Sequence, residues 1–359
     1  MEQLDRRVLL AGAGVAGALA LAKLAKAGPL TPPAGAVAST GKTLNQVEPR
    51  TDVATLAGSA SAVHVISQPG SYYLTTNVQG VAGKNGIEIQ ASDVTLDLNG
   101  FAVQGVAGAI DAITAAVGTV DRKNICVMNG TIRGWAGVGI NAFFDADSST
   151  YGSAYRDLRI SDCQDGIRAA RAVVESCVLH DNSGTGCNVY ESTVANCTAV
   201  SNGTGFGIYF SSKISGCAAK FNGTGIDCGG GAHVEGNAVE VSFGTGIFVR
   251  EHCRVVGNSV ADCNGDGIRV DTLSGAGGNV IENNFVANCT GIGYNVPAIA
   301  EPIAANLVVR NRATQNGTNF SIDLGTNSAG PIVDLDAPGS LTGYTASSHP
   351  MANLGISYG

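Results

Sequence analysis

Apolar and polar residues alternate in short bursts along this chain, and the bursts recur. The segments "VESCVLHDNSGTGCNV", "VANCTAVSNGTGFGIYF", "ISGCAAKFNGTGIDC", "VEGNAVEVSFGTGIFV", "VVGNSVADCNGDGIRV" and "IENNFVANCTGIGY" align on one another. Each reads apolar-x-small-[Cys/Asn], then about five residues, then usually Gly-Thr-Gly or Gly-Asp-Gly, then an apolar-x-apolar strand. The Cys/Asn column is Cys177, Cys197, Cys217, Asn237, Asn258 and Asn283, at spacings of 20, 20, 20, 21 and 25. A glycine column reads Gly139, Gly166, Gly186, Gly207, Gly225, Gly246, Gly267 and Gly291. Period-two bursts of β-branched residues within a repeat of 20–21 predict three short strands per turn. Stacked, they make an all-β, single-stranded, right-handed parallel β-helix. A leucine-rich repeat has a similar period but requires Leu-x-x-Leu-x-Leu, and the leucines are missing.

The repeat is regular from about 155 to 295, with looser coils before it ("GIEIQASDVTLDLNGFAVQG") and after it ("NLVVRNRATQNGTNFSIDLG"). Roughly ten coils at about 4.8 Å each predict a rod near 50 Å long. The domain reading is an N-terminal segment over 1–38, a linker over 39–60, the β-helix over 61–330 and a capping tail over 331–359. The tail breaks the repeat and is expected to cover strand edges that the open end would expose.

Composition narrows the function classes. The 359 residues carry a formal charge of −8 with only 14% charged residues, so there is no basic patch to displace nucleic-acid counterions. Ten cysteines fit two readings. Stacked identical residues at a turn point inward, and Cys packs there as a small apolar group, with Cys187 and Cys228 inward on the following strand. A disulfide between neighbouring coils, such as Cys177–Cys197, is the alternative, at marginal geometry for parallel-strand spacing. No Cys-x-x-Cys occurs and the five histidines are scattered, so no metal site is read.

At the N-terminus, "RRVLLAGAGVAGALAL" places Gly12, Gly14 and Gly17 in a dinucleotide-type spacing. No Asp or Glu lies between Asp5 and Glu48 to hold a ribose, so the spacing carries no cofactor, and none is expected elsewhere. Arg6-Arg7, the Gly/Ala-rich apolar stretch and the small-x-small "AVA" at 36–38 instead resemble a bacterial twin-arginine export signal. The resemblance implies a periplasmic or extracellular protein. No apolar run beyond residue 38 approaches a membrane span.

The ladder residues, the "GI-x-[VF]" strand and the coil length resemble the pectin-lyase-like superfamily over most of residues 60–330. That resemblance implies a ligand groove on the sheet built from the Gly-led strands. With the residue after Gly inward, the next points out. This outward column reads Asn141, Arg168, Asn188, Tyr209, Asp227, Phe248 and Arg269, extended by Glu88 if the early coil is in register. A second column at the strand end offers Tyr190, Glu191, Arg250, Glu251 and Asp271. Aromatic faces stack on sugar rings, and amides and guanidinium groups bind hydroxyls and carboxylates. Expected substrate-binding residues are therefore Asn141, Arg168, Asn188, Tyr209, Phe248 and Asp271, with a polysaccharide or cell-surface glycan as partner. For catalysis, Asp227 between two aromatics suits a general acid, and with Glu251 or Asp271 it makes a glycosidase-type carboxylate pair. Arg269 or Arg168 suits a uronate carboxylate or a lyase base. Ca²⁺ enters only with the lyase reading.

The sequence also departs from the enzymes of that superfamily. The polygalacturonase set of Asn-Thr-Asp, Asp-Asp, Gly-His-Gly and Arg-Ile-Lys is missing, and Trp135 stands in "GWAGVG" rather than in the Trp-x-Asp-His of pectate lyases. Two function classes remain: a polysaccharide-binding protein that is possible as a lyase or hydrolase, and a non-catalytic structural or adhesion rod.

Overall fold

The computed structural model describes residues 49–115, 120–145, 148–272, 277–299, 304–334 and 349–356; the expectations for 1–38 and for the 39–48 part of 39–60 lie outside them. The chain divides into Met1–Pro49 and Arg50–Gly359, and the second unit is a right-handed parallel β-helix. Among the described residues the only helical element is a 3-10 turn at Val53–Thr55, and none is a helix long and apolar enough to cross a membrane.

From Asp165 onward each coil contributes three short strands, one each to sheets one, two and three. The last two are joined into one 24-stranded sheet by the long strands Ile125–Arg133 and Ser153–Ser161. Sheet one runs through Asp165–Ala170, Thr185–Tyr190, Thr204–Tyr209, Thr224–Gly229, Ile247–Val249 and Ile268–Val270. Sheet two follows each of these by a corner, as in Thr193–Ala195 and Lys213–Ser215, and sheet three by another, as in Thr198–Val200 and Ala218–Lys220. The period-two alternation becomes burial directly. Ile167, Cys187, Phe206, Ile226, Ile247 and Ile268 pair in register down the inside of sheet one, and none exceeds 1% exposure. Parallel strands that face a solenoid core on one side need only one apolar stripe each, which is why strands of three residues suffice.

The corners carry three ladders, where the sequence suggested one. Between sheets two and three stand Cys177, Cys197, Cys217, Asn237, Asn258, Asn284, Asn311 and Asn353. Each backbone N–H of Asn237, Asn258, Asn284 and Asn311 donates to the Oδ1 of the next coil at 2.9–3.0 Å. Between sheets three and one, Asn182, Asn202 and Asn222 do the same through amide pairs at 2.9 and 3.0 Å. Between sheets one and two, Ser192 and Ser212 give way to Cys253, Asn279 and Asn306. The residue before most of these ladder members turns with positive φ, for example Asn196, Ser201, Phe221 and Asn283. Asn283 is therefore the turning residue at φ 55°, and Asn284 is the ladder member. Adjacent Asn residues conceal that difference in a sequence alignment.

Two glycine assignments also shift. Thr185 pairs with Thr204, so Gly205 stands in the glycine column and Gly207 lies two residues further along. Ile268 pairs with Tyr294, so Gly267 faces Gly293, which puts Gly293 rather than Gly291 in that column. A Cβ on Gly205 would lie 2.5 Å from the Gly225 carbonyl oxygen, so close coil stacking selects the bare residue here. Repeat length varies as well: ladder partners are 20 residues apart at Asn202–Asn222, 26 at Asn258–Asn284 and 42 at Asn311–Asn353. Sheet one holds twelve stacked parallel strands among the described residues, its other two lying off that path.

The ends belong to the same fold. Thr51–Asp52 pairs with Tyr72–Tyr73 and Val53 is fully buried, so the solenoid takes in described residues ahead of position 61. At the other end Asn353–Ile356 supplies a sheet-three strand beside Arg312–Thr314, and Ile332–Asp334 pairs on its far side. All ten cysteines are free thiols, nine of them buried. Cys197 Sγ accepts from the Cys177 amide at 3.4 Å and reaches the Ala195 carbonyl at 3.3 Å. The thiol thus fills the role that an Asn amide fills lower in the ladder. Burial pushes the Cys163 thiol up to about 11, so it stays protonated and inert. Trp135 is a core residue too, donating Nε1–H to the Val103 carbonyl at 3.1 Å.

Candidate functional site

Sheet one presents an outward column whose register is Glu88, Thr114, Asn141, Arg168, Asn188, Gly207, Asp227, Phe248, Arg269 and Asn295. Glu88 is in register, but it is 3% exposed and held by Ser61 and Gln90. Tyr209 does not stand in this column. It pairs with Tyr190 on one side and Gly229 on the other, in the second column at the strand end. The cause is the coil of "NGTGFGIYF", one residue short of its neighbours between Cys187 and Phe206, which moves its last glycine, Gly207, into the outward position.

Gly207 and Gly229 allow a convergence on Asp227. A Cβ on Gly207 would meet Tyr209 Cε2 at 3.1 Å, because the Tyr209 ring folds back over that glycine. Its hydroxyl donates to Asp227 Oδ2 at 2.9 Å. From the next coil, Arg250 crosses Gly229, where a Cβ would meet its Cδ at 2.9 Å. Its guanidinium grips Asp227 with two hydrogen bonds, Nε to Oδ1 at 3.1 Å and Nη2 to Oδ2 at 2.9 Å. Nη1 of Arg250 also lies 3.9 Å from Asp271 Oδ2, and its Cζ sits 5.3 Å from the Phe248 ring centroid. Asp227 is thus an acceptor with three donors, at 18% side-chain exposure. Burial first, and then the Asp227 charge, raise the Tyr209 phenol well above ordinary tyrosine, while the Asp227 hydrogen bond raises Arg250 further. Both donors stay protonated across the whole biological range.

Beside this hub runs a row of rings. Phe143 stacks on Tyr190 with centroids 4.6 Å apart, and Tyr190 stacks on Tyr209 at 5.5 Å and on Phe210 at 5.8 Å. Phe210 is a corner residue at φ 50° and is 57% exposed. An aromatic side chain held in the left-handed region and left in water is an expensive placement.

The remaining expected residues spread outward from the hub. Arg168 lies 3.8 Å from Asp165, and the Asn141 amide donates to Asp111 at 2.9 Å. Arg269 is exposed in the column, with no ion pair among the described residues. Asp271, expected on the outer surface, is only 9% exposed and accepts from the Thr272 amide at 2.7 Å. Glu251 turns to the corner and accepts from the Gly230 amide at 2.9 Å. The structure therefore brings Asp227, Tyr209, Phe248 and Asp271 together around Arg250, a residue that the sequence placed at the strand end without a role. Phe143, Phe210 and Gly229 were not read at all, and Gly207 was read only as a member of the glycine column. The paired glycines after "GTG" and in "DCGG" were the available signal. Among the described residues no group of three or more His, Cys, Asp or Glu is arranged to hold a metal ion.

No protein-family model and no curated protein sequence matches the chain. Solved structures do. The mannuronan C-5 epimerase AlgE4 A-module of Azotobacter vinelandii superposes with a TM-score of 0.51 at 13% identity, covering 86% of this chain and 95% of that one. The AlgE6 A-module from the same organism gives 0.52 at 14%, covering 86% and 99%. A tailspike protein variant of Escherichia coli bacteriophage HK620 gives 0.51 at 12%, covering 83% and 67%. At such identities the similarity is one of fold: the chain is a right-handed parallel β-helix, as these proteins are.

Proposed function

We propose that this protein binds a polysaccharide along the outward face of sheet one, and that it does so outside the cytoplasm. The observation that carries the reading is the ring row Phe143–Tyr190–Tyr209, set along the coil axis beside the Asp227–Arg250 pair. A row of rings parallel to a polar strip matches a chain of sugars, each with an apolar face and a rim of hydroxyls. Two of its structural neighbours are named for an enzyme acting on mannuronan, an analogy at the level of fold. The export reading of Arg6-Arg7 belongs to the same proposal, since such glycans lie outside the cell.

Binding is favoured over hydrolysis by the state of Asp227. A general acid needs a carboxyl with a proton to give, and Asp227 instead accepts from a phenol and twice from a guanidinium. Its role on this geometry is to position Arg250 and Tyr209. Affinity electrophoresis in gels containing acidic or neutral polysaccharides tests the reading, together with assays for reducing ends and unsaturated uronates. Retardation of the wild type, lost in Tyr190→Ala, is expected. Free migration in every gel would leave the non-catalytic structural rod.

A further inference from the structure

Resting on that reading, we infer that Tyr209 is a latch: its ring occupies a notch over Gly207, and a pyranose unit displaces it to bind Asn188 and Asp227 through hydroxyl groups. Gly207 is the one position of the strip between Asn188 and Asp227, and it has no side chain. The Tyr209 ring fills the space instead, 3.1 Å from where a Cβ would stand, with its hydroxyl 3.5 Å away. Asn188 Oδ1 lies 3.3 Å from the same point. That oxygen is buried and has no hydrogen-bond partner. A starved acceptor beside a space filled by a rotatable ring is a site built for a donor that the free protein does not supply.

The chemistry defines the ligand. Asn188 Oδ1 and Asp227 Oδ2 are both acceptors on one strip, two strand steps apart, about 10 Å. They call for a ligand that is rich in O–H donors, flat enough to lie on a sheet, and able to replace the Tyr209 hydroxyl on Asp227. A pyranose in a glycan chain has those properties. The exchange keeps Asp227 satisfied, since one O–H replaces another, and it gives Asn188 its missing donor. The ring stacks on Tyr190 in the free protein, so when displaced along that neighbour it still contributes an aromatic surface. Arg250 holds Asp227 in place from the other side throughout, by two bonds that do not involve Tyr209.

The latch is separable from a plain stacking role for Tyr209. Tyr209→Phe keeps the ring and removes the bond that closes it, so the open state gains population and apparent affinity rises. A stacking platform predicts no change for the same variant. Asn188→Ala removes the acceptor that the ligand satisfies, and affinity falls. The experiment measures dissociation constants of wild type, Tyr209→Phe and Asn188→Ala for polygalacturonate, hyaluronan, dextran and mannan, with melting curves confirming that each variant folds. For the glycan bound best, about a fivefold gain in Tyr209→Phe and about a tenfold loss in Asn188→Ala are expected. In addition, ultraviolet difference titration of the wild type should show one tyrosine moving toward ordinary ionisation when glycan is added, a change missing in Tyr209→Phe. Binding that is unaltered or weakened in Tyr209→Phe overturns the latch and leaves the binding face standing. No binding by wild type or variants overturns both.

Discussion

The corner ladders and the outer strip of sheet one are built on the same repeat and obey opposite rules. At the sheet two–three corner the same amide recurs coil after coil, from Asn237 through Asn353, and each residue is satisfied by its own copy. On the strip, the column changes at every step: Asn188, Gly207, Asp227, Phe248, Arg269. Repetition is what a fold needs, because a ladder is closed only when each member finds an equal above and below. Variation at a fixed register is what recognition needs, because a ligand with successive different groups meets different side chains. The two regions also differ in what they leave unsatisfied: the Asn members of that corner close their amides on one another, whereas Asn141 and Asn188 of the strip keep buried unpartnered oxygens.

Cutting the ladder should have the largest effect. Asn258→Ala leaves the amide and side-chain donors of Asn237 without their acceptor, which costs about 3 kcal/mol in urea unfolding. A strip substitution of similar size, Asp227→Ala, should cost under about 1 kcal/mol, while glycan retardation falls about tenfold as the ligand loses an acceptor and Arg250 its anchor. Comparable stability losses in the two would dissolve the distinction between the regions. Tyr190→Ala, which breaks the ring row between Phe143 and Tyr209, should weaken glycan binding by about five- to tenfold without moving the urea midpoint much.

The smallest effect is one of pH. Tyr209 and Tyr294 are raised well above 10 by burial, and Tyr155 to about 12. A group whose folded-state value is raised contributes stability below its unfolded value of about 10 and loses it as pH rises beyond that. Melting temperature should therefore fall above pH 10, and less steeply in Tyr209→Phe than in wild type. An identical slope would mean that Tyr209 is already solvated. Below pH 9 the two proteins should show the same dependence on pH.

How much was legible follows from the same contrast. The ladder column was visible because selection for stacking repeats a residue type at a fixed interval. Even so, Asn283 and Asn284 could not be told apart, since only the positive φ of the first distinguishes them. Asp227, Phe248 and Arg269 could be set on one face by counting from glycine. Tyr209 could not, because "GTGFG" offers three glycines in alternating positions and counting alone does not choose among them. The Arg250 grip on Asp227 was beyond pattern reading altogether. It depends on an empty space over Gly229 in one coil and on a long side chain from the next.

By itself, the sequence determined the architecture: a 20–21-residue rhythm of apolar bursts has one economical way to bury its stripes, and inward amides or thiols close the corners. Only the tertiary structure decided the site. Side chains 18–23 residues apart meet there through gaps left by two glycines, and whether a ring or a guanidinium fills such a gap depends on packing in three dimensions rather than on spacing along the chain.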